Sequence, residues 1–172
     1  MRIYKICELG HTITGTTPST KNKEYYKEPI YIFAGPSDIS KSRYILNSEK
    51  YISGLAYRDY QNRFINENDI AVSCIGYLGY VSIAKEKMLT NQQINSICSI
   101  KQDIVLPLYL YYKLVTMQKY FESIGGNGTA LPIINKTLFD SVKLNIHELS
   151  EQQHIVNILG TIDDKIENLG LI

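Results

Sequence analysis

Apolar residues recur at intervals of three and four through the last part of the chain. Ile155, Ile158, Leu159, Ile162, Ile166 and Leu169 therefore share one helix face, while Gln152, Asn157, Asp163, Asp164 and Glu167 fall mostly elsewhere. Ser150, three residues before Gln153, reads as a capping box, which predicts a helix beginning at about Glu151. At 1.5 Å per residue it would run for roughly 28 Å. Two fates are open to such a stripe: folding back onto its own domain, or forming a coiled-coil arm that dimerises or docks on a larger subunit.

Upstream the period changes. Residues 29–33 read as a strand ending at the turn Gly35-Pro36-Ser37-Asp38, and residues 69–75 and 80–84 flank Gly76-Tyr77-Leu78-Gly79 as a hairpin. Residues 94–100 alternate apolar with polar, as a half-buried strand does, and 142–146 predict another. Residues 107–121 read as one helix, with Pro107 at its first position and Leu110, Leu114, Met117 and Phe121 inward. Lys113, Gln118 and Lys119 would point outward, and Gly125-Gly126-Asn127-Gly128 would stop the helix. The predicted fold class is α+β. A mixed or antiparallel β-rich domain with packed helices occupies residues 1–149, and a coiled-coil-like helix occupies 150–172.

Composition adds that the chain folds. It has 172 residues, 44% hydrophobic and 20% charged, which suits a single domain with a sufficient core. Its longest apolar stretch, residues 104–112, is about half of the ~20 residues a membrane span needs. The amino terminus lacks a signal-peptide core, so a cytoplasmic protein is expected. Cys7, Cys74 and Cys98 lie in apolar surroundings at wide spacing and are expected to be buried, reduced thiols. His11, His147 and His154 show no metal-ligand spacing, and neither metal nor cofactor is expected.

Five short elements follow one another along the chain: Gly15-Thr16-Thr17-Pro18-Ser19; Asp69-Ile70-Ala71-Val72-Ser73-Cys74-Ile75-Gly76; Thr90-Asn91-Gln92-Gln93-Ile94-Asn95; Gly128-Thr129 before Ile134-Asn135-Lys136; and Leu149-Ser150-Glu151-Gln152-Gln153. In that order they resemble one repeat of a type I restriction-modification specificity subunit. The resemblance implies a target recognition domain followed by a spacer helix. It also implies a protein that tells methyltransferase and restriction subunits which DNA site to act on. Such subunits usually carry two recognition domains, and this length has room for one, equivalent to a half-subunit.

Charge localises where DNA would be met. The net charge of +1 divides into +4 over residues 1–63, where ten cations face six anions, 0 over 64–149, and −3 over 150–172. Affinity for duplex DNA comes largely from displacing counterions with Lys and Arg, so the first third is favoured and the acidic helix suits protein contacts. Arg forks onto guanine edges and Asn or Gln onto adenine, whereas Lys and hydroxyls mostly hold phosphate. Arg58, Tyr60, Gln61, Asn62 and Arg63 form the preferred base-reading segment. Lys21 and Lys23 form a second candidate stretch with Tyr25 and Tyr26, and Lys41, Arg43 and Tyr44 would add phosphate contacts. Tyr77, at the hairpin tip, is a candidate for stacking against DNA. The amides of Thr90 to Asn95 are expected to tie loops to the sheet, because relatives that read different sites share this element. Gly126-Asn127-Gly128-Thr129 lacks the lysine of a P-loop and reads as a surface turn.

Catalysis is not expected. No Asn/Asp-Pro-Pro-Tyr/Phe element or glycine-rich strand-to-helix turn supports methyl transfer, and no Walker motif supports a motor. The one nuclease-like triplet, Asp163-Asp164-Lys165, falls on the polar side of the terminal helix. Two functional readings remain. In the first, the domain reads a half-site and pairs with a second copy through the stripe, so that a split site in double-stranded DNA is presented to methyltransferase and, through it, restriction subunits. In the second, it binds or titrates methyltransferase without reading DNA.

Overall fold

Several strands carry apolar residues on both faces, and the reason is architectural: two sheets share one interior. In chain order the elements are β1 (Arg2–Lys5), α1 (Ile6–Leu9), β2 (His11–Thr14), β3 (Pro29–Ala34), α2 (Pro36–Ile39), β4 (Tyr44–Ile45), β5 (Tyr51–Ser53), α3 (Gly54–Tyr60), β6 (Phe64–Ile65), β7 (Ile70–Ser73), β8 (Val81–Ala84), β9 (Met88–Thr90), β10 (Ile94–Cys98), α4 (Pro107–Val115), α5 (Gln118–Ile124), α6 (Lys136–Ser141), β11 (Lys143–Ile146) and α7 (Leu149–Asn168). Short 3-10 turns cover Lys23–Tyr26 and Gln61–Arg63. This computed structural model describes residues 1–39, 42–126 and 131–169.

One sheet has the order β2-β10-β7-β8-β4 and another β5-β3-β9-β6, while β1 pairs with β11. Most pairings are antiparallel; β4 with β8 and β3 with β9 are parallel. Along β7, Ile70 and Val72 face the helices while Ala71 faces the other sheet. Along β3, Ile32 and Ala34 enter the space between the sheets, whereas Phe33 joins the tyrosines beyond it. Period two thus supplies two cores from one strand. The expectation that residues 94–100 form a half-buried strand is corrected accordingly: every residue of β10 is buried, because neighbours cover both of its faces.

The hairpin of β7 and β8 forms as the sequence predicts. Gly76 and Gly79 adopt φ of 78° and 75°, a region L side chains avoid. Ser73 Oγ bonds the Tyr77 carbonyl and accepts from Tyr80 N, closing the turn. Leu78 is buried and Tyr77 stands 72% exposed.

The predicted single helix over residues 107–121 is two helices. Thr116 donates its hydroxyl to the Lys113 carbonyl at 2.7 Å, diverting an acceptor from the helical ladder, and the chain turns at Met117 before α5 begins. Leu110, Leu114 and Phe121 still face inward, with Phe121 stacked on Phe139. Gly125 caps α5; residues 127–129 of the predicted surface turn lie outside the described residues.

The thiols also part company. Cys74 and Cys98 are buried, but Cys7 is exposed, because on α1 it is Ile6 and Leu9 that point inward. Burial pushes the Cys74 thiol up to about 12 and raises that of Cys98 as well. Thiolate is therefore scarce at both below that range. At pH 8 the native protein is expected to react with a maleimide at one cysteine, Cys7, and the unfolded chain at all three. Two or more modified thiols in the folded protein would contradict this arrangement.

Helix α7 begins at Leu149, two residues earlier than predicted, and no side-chain cap precedes it. The capping box does not form. Gln153 instead donates to Asn157, and Gln152 turns into the domain, where it is 0% exposed. Gln152 Oε1 accepts from Leu106 N at 2.9 Å, and its Nε2 donates to the Ile104 and His147 carbonyls at 2.9 and 2.8 Å. The helix packs on α4, with Val156 against the core and Gly160 beside Leu108. Ile158, Leu159, Ile162 and Leu169 remain exposed, while Ile155 is half-buried against the core. Among the described residues no helix is long and apolar enough to cross a membrane.

Candidate nucleic-acid interface

The two segments chosen for DNA contact lie some thirty-five residues apart, and folding joins them. The strand β3 carries the chain away from Lys21–Lys27, and β5 returns it antiparallel into α3. Ser53 Oγ both accepts from Ala56 N, capping α3, and donates to the Glu24 carbonyl at 2.8 Å. Tyr25 donates to Asp59 at 3.0 Å and meets the Tyr60 ring edge-on, with centroids 5.6 Å apart. That bond to a carboxylate raises the Tyr25 pKa. Tyr26 donates to the Pro18 carbonyl at 2.6 Å, fastening the Thr-Pro-Ser element to the same patch.

On this base Lys21, Lys23, Arg58, Gln61, Asn62 and Arg63 are exposed and Tyr60 is half-buried. Arg58 leans on Asp59 at 3.5 Å, a solvated contact that leaves most of its donors free. Arg63 donates to the Thr14 carbonyl at 3.3 Å. The surface therefore offers Lys, Arg, two amides and a phenol side by side, donors for phosphate next to groups that pair with base edges. Sequence reasoning missed Lys87, whose ammonium sits 4.9 Å over the Tyr57 ring and donates to its hydroxyl at 3.2 Å. Only the pairing of β9 with β3 and β6 brings it there.

Tyr77 sits on a neighbouring part of the surface. Its ring lies 6.2 Å from that of Tyr80, and the two border a cavity of about 410 Å³ with Pro36, Ser37 and Gln93. A second cavity of about 290 Å³, bordered by Thr17, Lys50, Asn91 and Gln93 among others, adjoins it at Gln93. Gln92 accepts from Thr17 at 2.5 Å. The loop Asn91-Gln92-Gln93 thus lies between the Thr-Pro-Ser element and the tyrosine pair.

Arg43 and Tyr44 are engaged elsewhere. Arg43 is 6% exposed, and its guanidinium donates to Asp164 at 2.6 Å and Glu167 at 3.0 Å on α7. Burial opposes its charge, yet the carboxylates outweigh that and its pKa is raised. Tyr44 goes with it, its ring lying between Arg43 and Lys85 at 4.8 and 5.0 Å. A buried, ion-paired guanidinium cannot also hold a phosphate. Lys41 lies outside the described residues.

Most of the elements that carry the family resemblance serve the frame. A Cβ on Gly15 would lie 2.2 Å from the Asn91 carbonyl and 2.4 Å from that of Thr90, so only glycine lets these strands approach. Asp69 accepts from Asn66 N and Ser99 N, and burial raises its pKa. Asn91 Oδ1 accepts from Gln93 N, and Asn95 binds Thr14 and the Ile134 carbonyl, as expected of an element that ties loops to the sheet. Asn135 caps α6 through Leu138 N. Asp163 and Asp164 of the nuclease-like triplet are committed to Tyr112 and Arg43. Among the described residues no group of three or more His, Cys, Asp or Glu gathers to hold a metal.

Comparison with known proteins gives the family of the chain. The chain is 35% identical over 170 residues to the type I restriction enzyme MjaIX specificity subunit of Methanocaldococcus jannaschii, covering 96% of this chain and 38% of that protein. It is 31% identical over 172 residues to the HindI specificity subunit of Haemophilus influenzae, covering 96% and 37%. The chain thus spans under two fifths of the length of these relatives. A crystal structure of a type I restriction-modification S subunit from M. genitalium superposes with a TM-score of 0.72 at 19% identity, covering 98% of this chain and 40% of that one. It has the same α+β fold. Residues 1–172 match the family described as the type I restriction modification DNA specificity domain, and the chain belongs to that family.

Proposed function

We propose that this chain reads a short sequence in double-stranded DNA and directs methyltransferase subunits, and through them restriction subunits, to it, without catalysing a reaction itself. The observation that carries this reading is the joining of residues 21–27 and 58–63 into one exposed surface of cations, amides and tyrosines. Residues 1–149 act as the recognition domain, and residues 150–172 as an arm for a second copy or for the methyltransferase. The setting is cytoplasmic. A dimer formed through the arm would carry two recognition surfaces related by a two-fold axis and would favour a split, inverted site.

Selection from randomised duplexes by the complex reconstituted with methyltransferase tests this. A split motif is enriched, and affinity falls steeply between low and physiological salt. Arg58→Ala or Arg63→Ala relaxes one base position at a cost of about 1–3 kcal/mol if the contact is bidentate. Uniform weakening across sequences would demote these arginines to phosphate anchors. A wild-type complex that enriches no sequence would leave a protein that only binds methyltransferase.

A further inference from the structure

The outer half of α7 is held to the domain by charge. Its buried residues are Gln152 and Gly160, and beyond Gly160 the residues turned toward the domain include Asp163 and Glu167. Arg43 meets Asp164 at 2.6 Å, Glu167 at 3.0 Å and Asp163 at 3.8 Å. Tyr112 of α4 donates to Asp163 at 2.7 Å and lies 3.5 Å from the Arg43 guanidinium. One buried cation therefore faces three carboxylates from a segment 120 or more residues away, and beyond Gly160 the half-buried apolar residue among those described is Ile166. Without Arg43, those carboxylates would repel one another and draw water, and the helix end would lift.

We infer that Arg43 is a positioning residue for site recognition: by clamping Asp164 and Glu167 it fixes the direction in which the arm leaves the domain. With that direction it fixes the separation and phase of the two half-sites that an assembled complex accepts. The inference rests on the reading that the arm joins two recognition units. The magnitudes make the angle matter. Each base pair of spacer shifts a half-site by about 3.4 Å and turns it by about 35°. For a 20-residue helix about 30 Å long, a tilt of about 7° displaces the tip by as much as one base pair. Nη2 makes both short bonds, to Asp164 and Glu167, while Nη1 lies 3.5 Å from the Tyr112 hydroxyl and 3.8 Å from Asp163, a spread of contacts that a compact lysine ammonium covers less well.

The test is selection by the reconstituted complex from duplexes in which both half-site sequence and spacer length vary. Wild type is expected to accept one spacer length. Arg43→Met is expected to enrich the same half-site bases but to accept neighbouring spacer lengths within about tenfold of one another, with Arg43→Lys intermediate. A merely structural role would weaken every site alike. Asp164→Asn combined with Glu167→Gln removes the partners from the more exposed side and gives the same broadening if the Arg43 variant folds poorly. In parallel, spin labels at the exposed Cys7 and at Asn168→Cys report a narrow distance distribution in the otherwise wild-type chain and a broad one in the Arg43→Met chain. An Arg43→Met complex that keeps the single spacer length, or an unchanged distance distribution, overturns the latch alone. A wild-type complex that enriches no split motif overturns the parent reading, and the latch falls with it.

Discussion

Replacing Ile158 and Ile162 by aspartate is expected to disrupt assembly through the proposed arm while leaving the fold of the domain intact. Both side chains are about half exposed, at 49% and 48%, so the monomer loses little when they change. Surface substitutions of this kind usually stay within about 0.5 kcal/mol, or about 1–2 °C in Tm for a chain of this size. Assembly is another matter. Burying the exposed half of an isoleucine contributes about 0.75–1.5 kcal/mol, so losing two from one helix weakens association by about ten- to a hundredfold before the cost of desolvating the new carboxylates is added. Ile155→Asp serves as the contrast. That residue is half-buried against the core, so its replacement lowers both stability and assembly. Sedimentation equilibrium with a second copy or with methyltransferase, beside thermal unfolding of each variant, separates the cases. Unchanged assembly would mean that another surface joins the partners.

Gln152→Ala has the largest expected effect on stability, and Gln153→Ala next to it has almost none. Gln152 is fully buried and satisfies one backbone N–H and two backbone carbonyls of the segments beneath α7. Its truncation leaves three polar groups without partners in the interior, each worth about 1–3 kcal/mol. With partial relief from entering water, the loss comes to about 3–5 kcal/mol, or about 10 °C or more in Tm. Gln153 bonds to Asn157 on the exposed side of the helix and should stay within about 0.5 kcal/mol. Chemical denaturation of the two variants side by side checks the pair. Equal small losses would show that the first turn of α7 is not fastened through Gln152.

The same two glutamines show where the sequence was legible. Ser150 and Gln153 have the spacing of a capping box, and that pattern is local, so it competes with any tertiary use of the same residues. The tertiary use prevailed: Gln152 replaced the cap by binding across to residues 104 and 106, and the helix start moved back to Leu149. The helix over residues 107–121 was correct in type and in its inward face, but its break at Thr116 depended on a hydroxyl choosing a carbonyl three residues back. Arg43 stands beside Lys41, Ser42 and Tyr44 in the sequence, a neighbourhood that predicts a phosphate contact. Its partners lie 120 to 124 residues further on, beyond the reach of any local pattern. The cations and amides of residues 58–63, proposed to read bases, are by contrast visible in composition alone, as are those at Lys21 and Lys23. What composition could not show was that Tyr25 would join them through Asp59 and Tyr60.

By itself the sequence determined the periods: which residues must leave water, where most strands and helices run, where cations gather, and that the terminal helix carries an apolar stripe. These follow from hydrophobic spacing and charge, which act between near neighbours. Only the tertiary structure decided which side of that helix meets the domain. It turned a mixed side inward, Gln152, Asp163 and Glu167 together with Ile155, Val156 and Ile166, and left Ile158, Leu159 and Ile162 in solvent. The reason is that a buried polar group must find its partner, and here those partners were a backbone loop and one arginine brought from far along the chain.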